Sequence, residues 1–221
     1  MKRILLTIAL AIMLLCFAPS THALQYSGTL TSAGGGIVGT ADWASGVSLS
    51  WVVNNTSNPG FWTYTYTWSD TTSQFKALSH IIIELSPDVK NISVSGANVK
   101  DFEINTYSGS DPSNQNMPGP MYGIKINTSN DPVTFTFSLI TVRAPVWGDF
   151  YAKDGTTNQL LNSAWNAGFL AADPNNAPAD GTINNHILRP DTEGVMLPEP
   201  GTMILLGLGL LGLGIVVRKR F

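Results

Sequence analysis

Trp62-Thr63-Tyr64-Thr65-Tyr66-Thr67-Trp68 decides the fold. Aromatic and hydroxyl residues alternate here without a break. Successive side chains of a strand point to opposite faces, whereas a helix would scatter the same residues around its axis. Only a strand gathers the four aromatics on one side. Threonine, being β-branched, suits the pleated backbone as well. The all-threonine face suits water, so the aromatic face is expected to meet a core. Were it exposed, the same row would stack on sugar rings. Trp62, Tyr64, Tyr66 and Trp68 are therefore also the carbohydrate-binding candidates, together with the loop over residues 108–119.

Neighbouring segments repeat the period of two. Leu49, Trp51 and Val53 share one side of residues 47–53, and Val133, Phe135, Phe137 and Leu139 oppose Thr134, Thr136 and Ser138. Further strands are expected at 25–31, 79–85, 92–94, 99–105, 121–127 and 147–152. Turn residues separate them, as at Ser86-Pro87-Asp88, Ser95-Gly96 and Asp154-Gly155. Residues 160–170 offer the best short helix. Many short strands with turns between them predict an all-β fold, an antiparallel β-sandwich or jelly roll, over residues 24–170. Residues 171–197 hold Pro174, Pro178 and Pro190 among asparagines and read as a linker, with a last edge strand over Asn185 to Asp191.

Charged residues make up 12% of the chain, about half the usual share. Residues 24–197 carry 7 basic and 14 acidic groups, a balance of −7. Nucleic acid as a partner needs a basic face and is excluded on this count.

The N-terminus is an export signal. Lys2-Arg3 precedes an apolar run from Ile4 to Ala18, and Thr21-His22-Ala23 places small residues at −3 and −1 for cleavage between Ala23 and Leu24. The one cysteine, Cys16, lies inside this segment. A chain cleaved there has neither disulfides nor thiolate metal sites.

At the other end, Pro198-Glu199-Pro200 is followed by the uncharged residues 201–217 and then by Arg218-Lys219-Arg220. Seventeen residues of helix rise about 26 Å, the short end of what spans a hydrocarbon core. The basic cluster belongs on the cytoplasmic side, which puts residues 24–197 outside. Each proline fixes its own φ and turns its predecessor away from α, so the tripeptide stays extended where a protease can grip it.

This order of parts resembles the PEP-CTERM sorting signal of Gram-negative bacteria, over about 25 of the 221 residues. The resemblance implies an integral-membrane exosortase as partner. It also implies cleavage at or near Pro198, Glu199 and Pro200, and a transmembrane helix at about 202–217 stopped by residues 218–220. Such a protein is anchored in the inner membrane first, then moves to the cell surface or outside, in the company of exopolysaccharide and biofilm. Residues 148–155 and the stretch from Asn185 to Asp191 are similar to segments of other PEP-CTERM ectodomains.

No catalytic constellation stands out. Gly34-x-Gly36-x-x-Gly39 matches the dinucleotide spacing, yet no βαβ unit surrounds it. Asp101 and Glu103 share a strand face and have the spacing of a glycosidase pair, but a solvent face explains them more simply. His80 and His186 stand apart, and no Gly-x-Ser-x-Gly elbow occurs. No cofactor and no resident metal are expected. Asp149, Asp154, Asp173 and Asp180, with Asn175, are the hard oxygen ligands that calcium would use, without the EF-hand spacing. The resulting expectation is a non-catalytic, exported surface or matrix protein. A carbohydrate-binding module is the alternative, and a secreted hydrolase the third reading.

Intact-mass measurement on protein from the native host checks the two ends. A mature chain beginning at Leu24 and lacking Arg218 to Arg220 is expected; a product ending at Phe221 would refute the C-terminal reading.

Overall fold

The structure, a computed structural model, describes residues 23–71, 77–89, 91–154 and 161–191. They belong to a compact unit, Ala23–Gly194. The fold is all-β, and its sheets are antiparallel. Along the chain the strands are β1 (Gln25–Thr31), β2 (Ile37–Gly39), β3 (Val47–Asn54), β4 (Trp62–Asp70), β5 (Leu78–Glu84), β6 (Ser93–Ser95) and β7 (Val99–Tyr107). There follow β8 (Met121–Thr128), β9 (Thr134–Thr141), β10 (Pro145–Gly148), β11 (Phe150–Asp154), β12 (Ser163–Asn166) and β13 (Ile187–Pro190).

One sheet has five strands in the order β1-β3-β4-β9-β6, the other six in the order β2-β12-β11-β5-β8-β7, and β10 pairs with β13 in a ribbon. A single hydrophobic cluster joins Leu49, Trp51 and Phe137 of the first sheet to Ile81, Ile124 and Phe150 of the second, with Trp147 and Leu188 of the ribbon. Two antiparallel sheets over one shared core make a β-sandwich.

The decisive stretch becomes β4, third of the five strands, paired in register with β3 and β9. Tyr64, Tyr66 and Trp68 are fully buried, and Trp62 packs against the same core from its margin. Trp68 meets Trp43 at 4.8 Å between ring centres, and Tyr66 meets Phe137 at 5.2 Å. On the opposite face the hydroxyls of Thr65 and Thr67 pair with Ser138 and Thr136 of β9 at 2.9 and 3.0 Å. The aromatic row is thus core, and three of its four candidate sugar-stacking rings have no face to offer a ligand.

Several expectations need correction. Residues 163–166, read within a short helix, form β12, because the buried Ala164 alternates with Trp165 across the sheet. The stretch 147–152 is two strands. Its inward side chains are Trp147 and then Phe150, so the chain slips phase at Gly148–Asp149 and changes partner from β13 to β5 and β12. On β7, an edge strand, Phe102 is 44% exposed although it lies opposite the face of Asp101 and Glu103. The loop at 108–119 is not a free binding loop. Asn114 and Met117 are buried, and Met117 packs with Tyr107, Met121, Tyr151 and Phe169 over the outer face of the six-stranded sheet.

Residues 171–191, read as linker, belong to the sandwich. The Gly181 amide donates to the Ser27 carbonyl, Asp180 accepts from the Ser27 amide at 2.8 Å, and β13 pairs with β10 over four residues. The last strand expected there is β13, which pairs only with β10 and has all four of its residues buried. A Cβ on Gly28 would lie 2.2 Å from the Trp51 ring and 2.4 Å from the Gly181 carbonyl, so only glycine lets this crossing segment lie down.

Two phenols fasten that region. Tyr64 donates to the Arg143 carbonyl at 2.7 Å and Tyr66 to the Leu188 carbonyl at 2.8 Å. Burial raises both phenols well above the ordinary tyrosine value, so both remain donors. Tyr66→Phe should cost about 1–2 kcal/mol by stranding a carbonyl, and Trp68→Ala about 3–5 kcal/mol by opening a cavity. Urea denaturation of both variants checks the order.

Candidate functional site

In a domain this poor in charge, burying ionic groups is costly unless they meet partners. Among the described residues, two buried polar clusters contain a histidine. The first forms where the ribbon leaves the six-stranded sheet. The phase slip presents Asp149, the end of β5 supplies Glu84, β13 supplies Arg189, the turn before it supplies His186, and the crossing segment supplies Asp173.

Arg189 is the hub of the ion pairs. Its Nη2 donates to Asp173 Oδ2 at 2.8 Å and lies 3.2 Å from Glu84 Oε1, while Nη1 donates to Ser86 Oγ at 2.8 Å. Glu84 also accepts the Asp149 backbone N–H at 2.8 Å. Asn166 ties the Asp149 carboxylate to the strand behind it. Its Nδ2 donates to Asp149 Oδ1 at 2.6 Å, and its Oδ1 accepts from the Phe150 amide. Gly148 makes room, since a Cβ there would come within 2.1 Å of Arg189 Nε.

His186 is fully buried. Its Nδ1 lies 3.2 Å from the Ile183 carbonyl, and its Nε2 faces Asp149 Oδ1 at 3.6 Å and Asp173 Oδ1 at 3.8 Å. Three carboxylates here share one guanidinium. Burial, opposed by Arg189, pushes Glu84 up to about 7. Burial likewise pushes Asp149 up to about 7, against the pull of the Asn166 hydrogen bond.

The second cluster lies under the 108–119 loop. Lys125 Nζ reaches Ser113 Oγ at 3.2 Å and sits over the Tyr107 ring at 5.6 Å. His80 lies beside Lys125 and Lys153, with Tyr151 against its ring. Burial first, then these two ammonium groups, drive the His80 pKa down to about 3.

Sequence reasoning named Asp149 and Asp173 as cation ligands, and the structure brings these two together. It sends Asp154 to Asn162 Nδ2 at 2.8 Å and Asp180 to the β1 backbone. The calcium grouping of four is therefore corrected to a pair of aspartates beside a histidine. Glu84, Arg189 and His186 were missed as partners of these acids, because they are distant in sequence and share no spacing. The usable signal was local: a charged or imidazole residue embedded in apolar strands, as in His186-Ile187-Leu188-Arg189. Asp101 and Glu103 stay exposed on the edge strand, with Asp101 paired to Asn127. Leu24 starts the sandwich, its amide bonded to Asn55. Pro198, Glu199, Pro200, Arg218, Lys219 and Arg220 lie outside the described residues, as does the span at 202–217. Among the described residues no helix is long and apolar enough to cross a membrane.

The class defined so far is an antiparallel β-sandwich with a buried ionic junction. A family model for the PEP-CTERM protein-sorting motif matches residues 197–220. The chain thus carries the sorting motif of an exosortase substrate, which implies export and placement at the surface or outside the cell. No curated protein matches the chain. Among solved structures, the KRT10-binding region domain of the pneumococcal serine rich repeat protein PsrP matches at 9% identity, over 68% of this chain and 92% of that chain. Its TM-score is 0.19, too low to carry an argument.

The sign for His80 follows from its lowered pKa. Unfolded, the ring binds a proton near pH 6.5; folded, it refuses one until about pH 3. Its contribution to stability is present above pH 6.5 and is lost as pH falls toward 3, at up to about 1.4 kcal/mol per pH unit. Glu84 and Asp149, raised instead, act oppositely and lose stability as pH rises from the ordinary carboxylate range through about 7. Denaturant titrations of the parent and His80→Asn isolate the histidine. The parent should lose stability more steeply than the variant below pH 6.

Proposed function

We propose that this chain is a non-catalytic surface or extracellular-matrix protein, delivered by exosortase and associated with exopolysaccharide. The motif at residues 197–220 carries the reading. A sandwich suits that role physically. Its core closes without a disulfide, since Cys16 is the only cysteine. The crossing segment 171–191 is pinned to the sandwich by backbone and side-chain hydrogen bonds at Asp180 and Gly181. Only residues 192–196 separate the described sandwich from the matched motif along the chain. The absence of catalysis is part of the proposal. Its support is that Asp101 and Glu103 project from an edge strand rather than converging across a cleft. The finer jelly-roll expectation remains part of this same proposal. Burial of Tyr64, Tyr66 and Trp68 weighs against sugar stacking on the row from Trp62 to Trp68.

Fractionation tests the proposal. The full chain, a chain lacking residues 198–221, and the full chain in a host without exosortase are compared in inner-membrane, surface and medium fractions. Surface and matrix recovery is expected only for the first, with the full chain held at the inner membrane when exosortase is missing. Equal recovery of all three in the surface fraction would overturn it.

A further inference from the structure

We propose that Asp149, Asp173 and His186 form a binding site for one borderline divalent transition metal, zinc in the first instance. One carboxylate oxygen from each of Asp149 and Asp173 and a His186 ring nitrogen all lie within 4.8 Å of one another. His186 Nε2 stands 3.6 Å from Asp149 Oδ1 and 3.8 Å from Asp173 Oδ1. Hydrogen-bonded pairs would stand at about 2.7–3.2 Å. Ligands of one tetrahedral zinc, with bonds near 2.1 Å, stand about 3.4 Å apart. The two histidine gaps are too long for the first arrangement and within a few tenths of an ångström of the second, and the carboxylate oxygens, within 4.8 Å of each other, would draw in on the ion.

The imidazole is set up as a ligand. Nδ1 faces the Ile183 carbonyl at 3.2 Å. A carbonyl only accepts, so Nδ1 carries the hydrogen and the neutral ring turns a lone pair on Nε2 toward the carboxylates. Nε2 is buried without a hydrogen-bond partner. Both carboxylates are aimed by outer partners. Asn166 holds Asp149 Oδ1 at 2.6 Å, and Arg189 holds Asp173 Oδ2 at 2.8 Å, which leaves Oδ1 facing the ring. Gly168 leaves room for the imidazole, since a Cβ there would come within 2.6 Å of His186 Cε1.

Charge and ligand type name the ion. Three carboxylates around one guanidinium leave room for a doubly positive charge. Imidazole with two carboxylates suits zinc and its neighbours, whereas calcium and magnesium prefer oxygen alone. The Asp173 side chain is 32% exposed, which provides an entry path and leaves a further coordination position toward solvent. Asp149 belongs to the junction of β10 and β11, whereas His186 and Asp173 belong to the crossing segment. The ion therefore clamps the segment leading toward the sorting motif onto the sandwich.

The test uses the full chain in detergent, purified without a histidine tag and stripped by chelator. Zinc chloride is titrated by calorimetry, and Tm is read with and without zinc. One equivalent is expected to bind and raise Tm. Asp173→Asn, at a partly exposed side chain, is expected to weaken zinc affinity at least about 10-fold and remove the rise. The d–d absorption of the cobalt derivative should change in His186→Gln if that variant folds. No saturable zinc binding, or one-equivalent binding that Asp173→Asn leaves intact, overturns the proposal. Either result leaves the exosortase reading untouched, because localisation is scored separately.

Discussion

The sandwich rests on burial of the aromatic face of β4. That strand is flanked on both sides, so its rings have one outlet, the space between the sheets, and they fill it with Trp43, Trp51 and Phe137. Large rings bury much apolar surface per residue, and tilted or offset pairs add about 0.5–1.5 kcal/mol each. Tyrosine at two of the four positions adds polar ends. These reach across the core to carbonyls at Arg143 and Leu188, which flank and include the ribbon strands. One strand thus supplies the core and fastens the C-terminal elements.

The ionic groups follow a contrary logic. A domain with few charges would be expected to keep them all wet, yet Arg189, Asp149 and His186 are nearly or fully buried at the ribbon junction. A buried cluster of this kind is a poor source of stability, because desolvation offsets most of the attraction. It makes sense as a specifier of position. Glu84, Arg189, Asp173 and Asp149 come from separate elements and satisfy one another only when the crossing segment lies in its native track.

That track matters because residues 171–191 are the last described part of the sandwich before the sorting motif matched from residue 197. Hydrogen bonds at Asp180 and Gly181, the β10–β13 pairing and the Arg189 ion pairs all act on this segment. The domain is consequently folded down to within a few residues of the stretch that the sorting machinery reads.

By itself the chain of residues determined the strand pattern and the C-terminal sorting motif. Strict alternation around Thr65, and Pro-Glu-Pro before an uncharged run and three basic residues, are local signals, and local signals survive in a linear text. Alternation also implied which face of β4 is core, because threonine and tryptophan differ so much in hydration. Tertiary structure alone decided the fate of the segments without periodicity. The 108–119 loop became a cover for the six-stranded sheet, and the proline-rich 171–191 stretch became part of the sandwich, since what they bury is supplied by strands distant in sequence. The meeting of Asp149, Asp173 and His186 was equally invisible. Its geometry depends on a one-residue phase slip at Gly148–Asp149 and on a crossing held open by glycine, and neither leaves a fixed spacing to read.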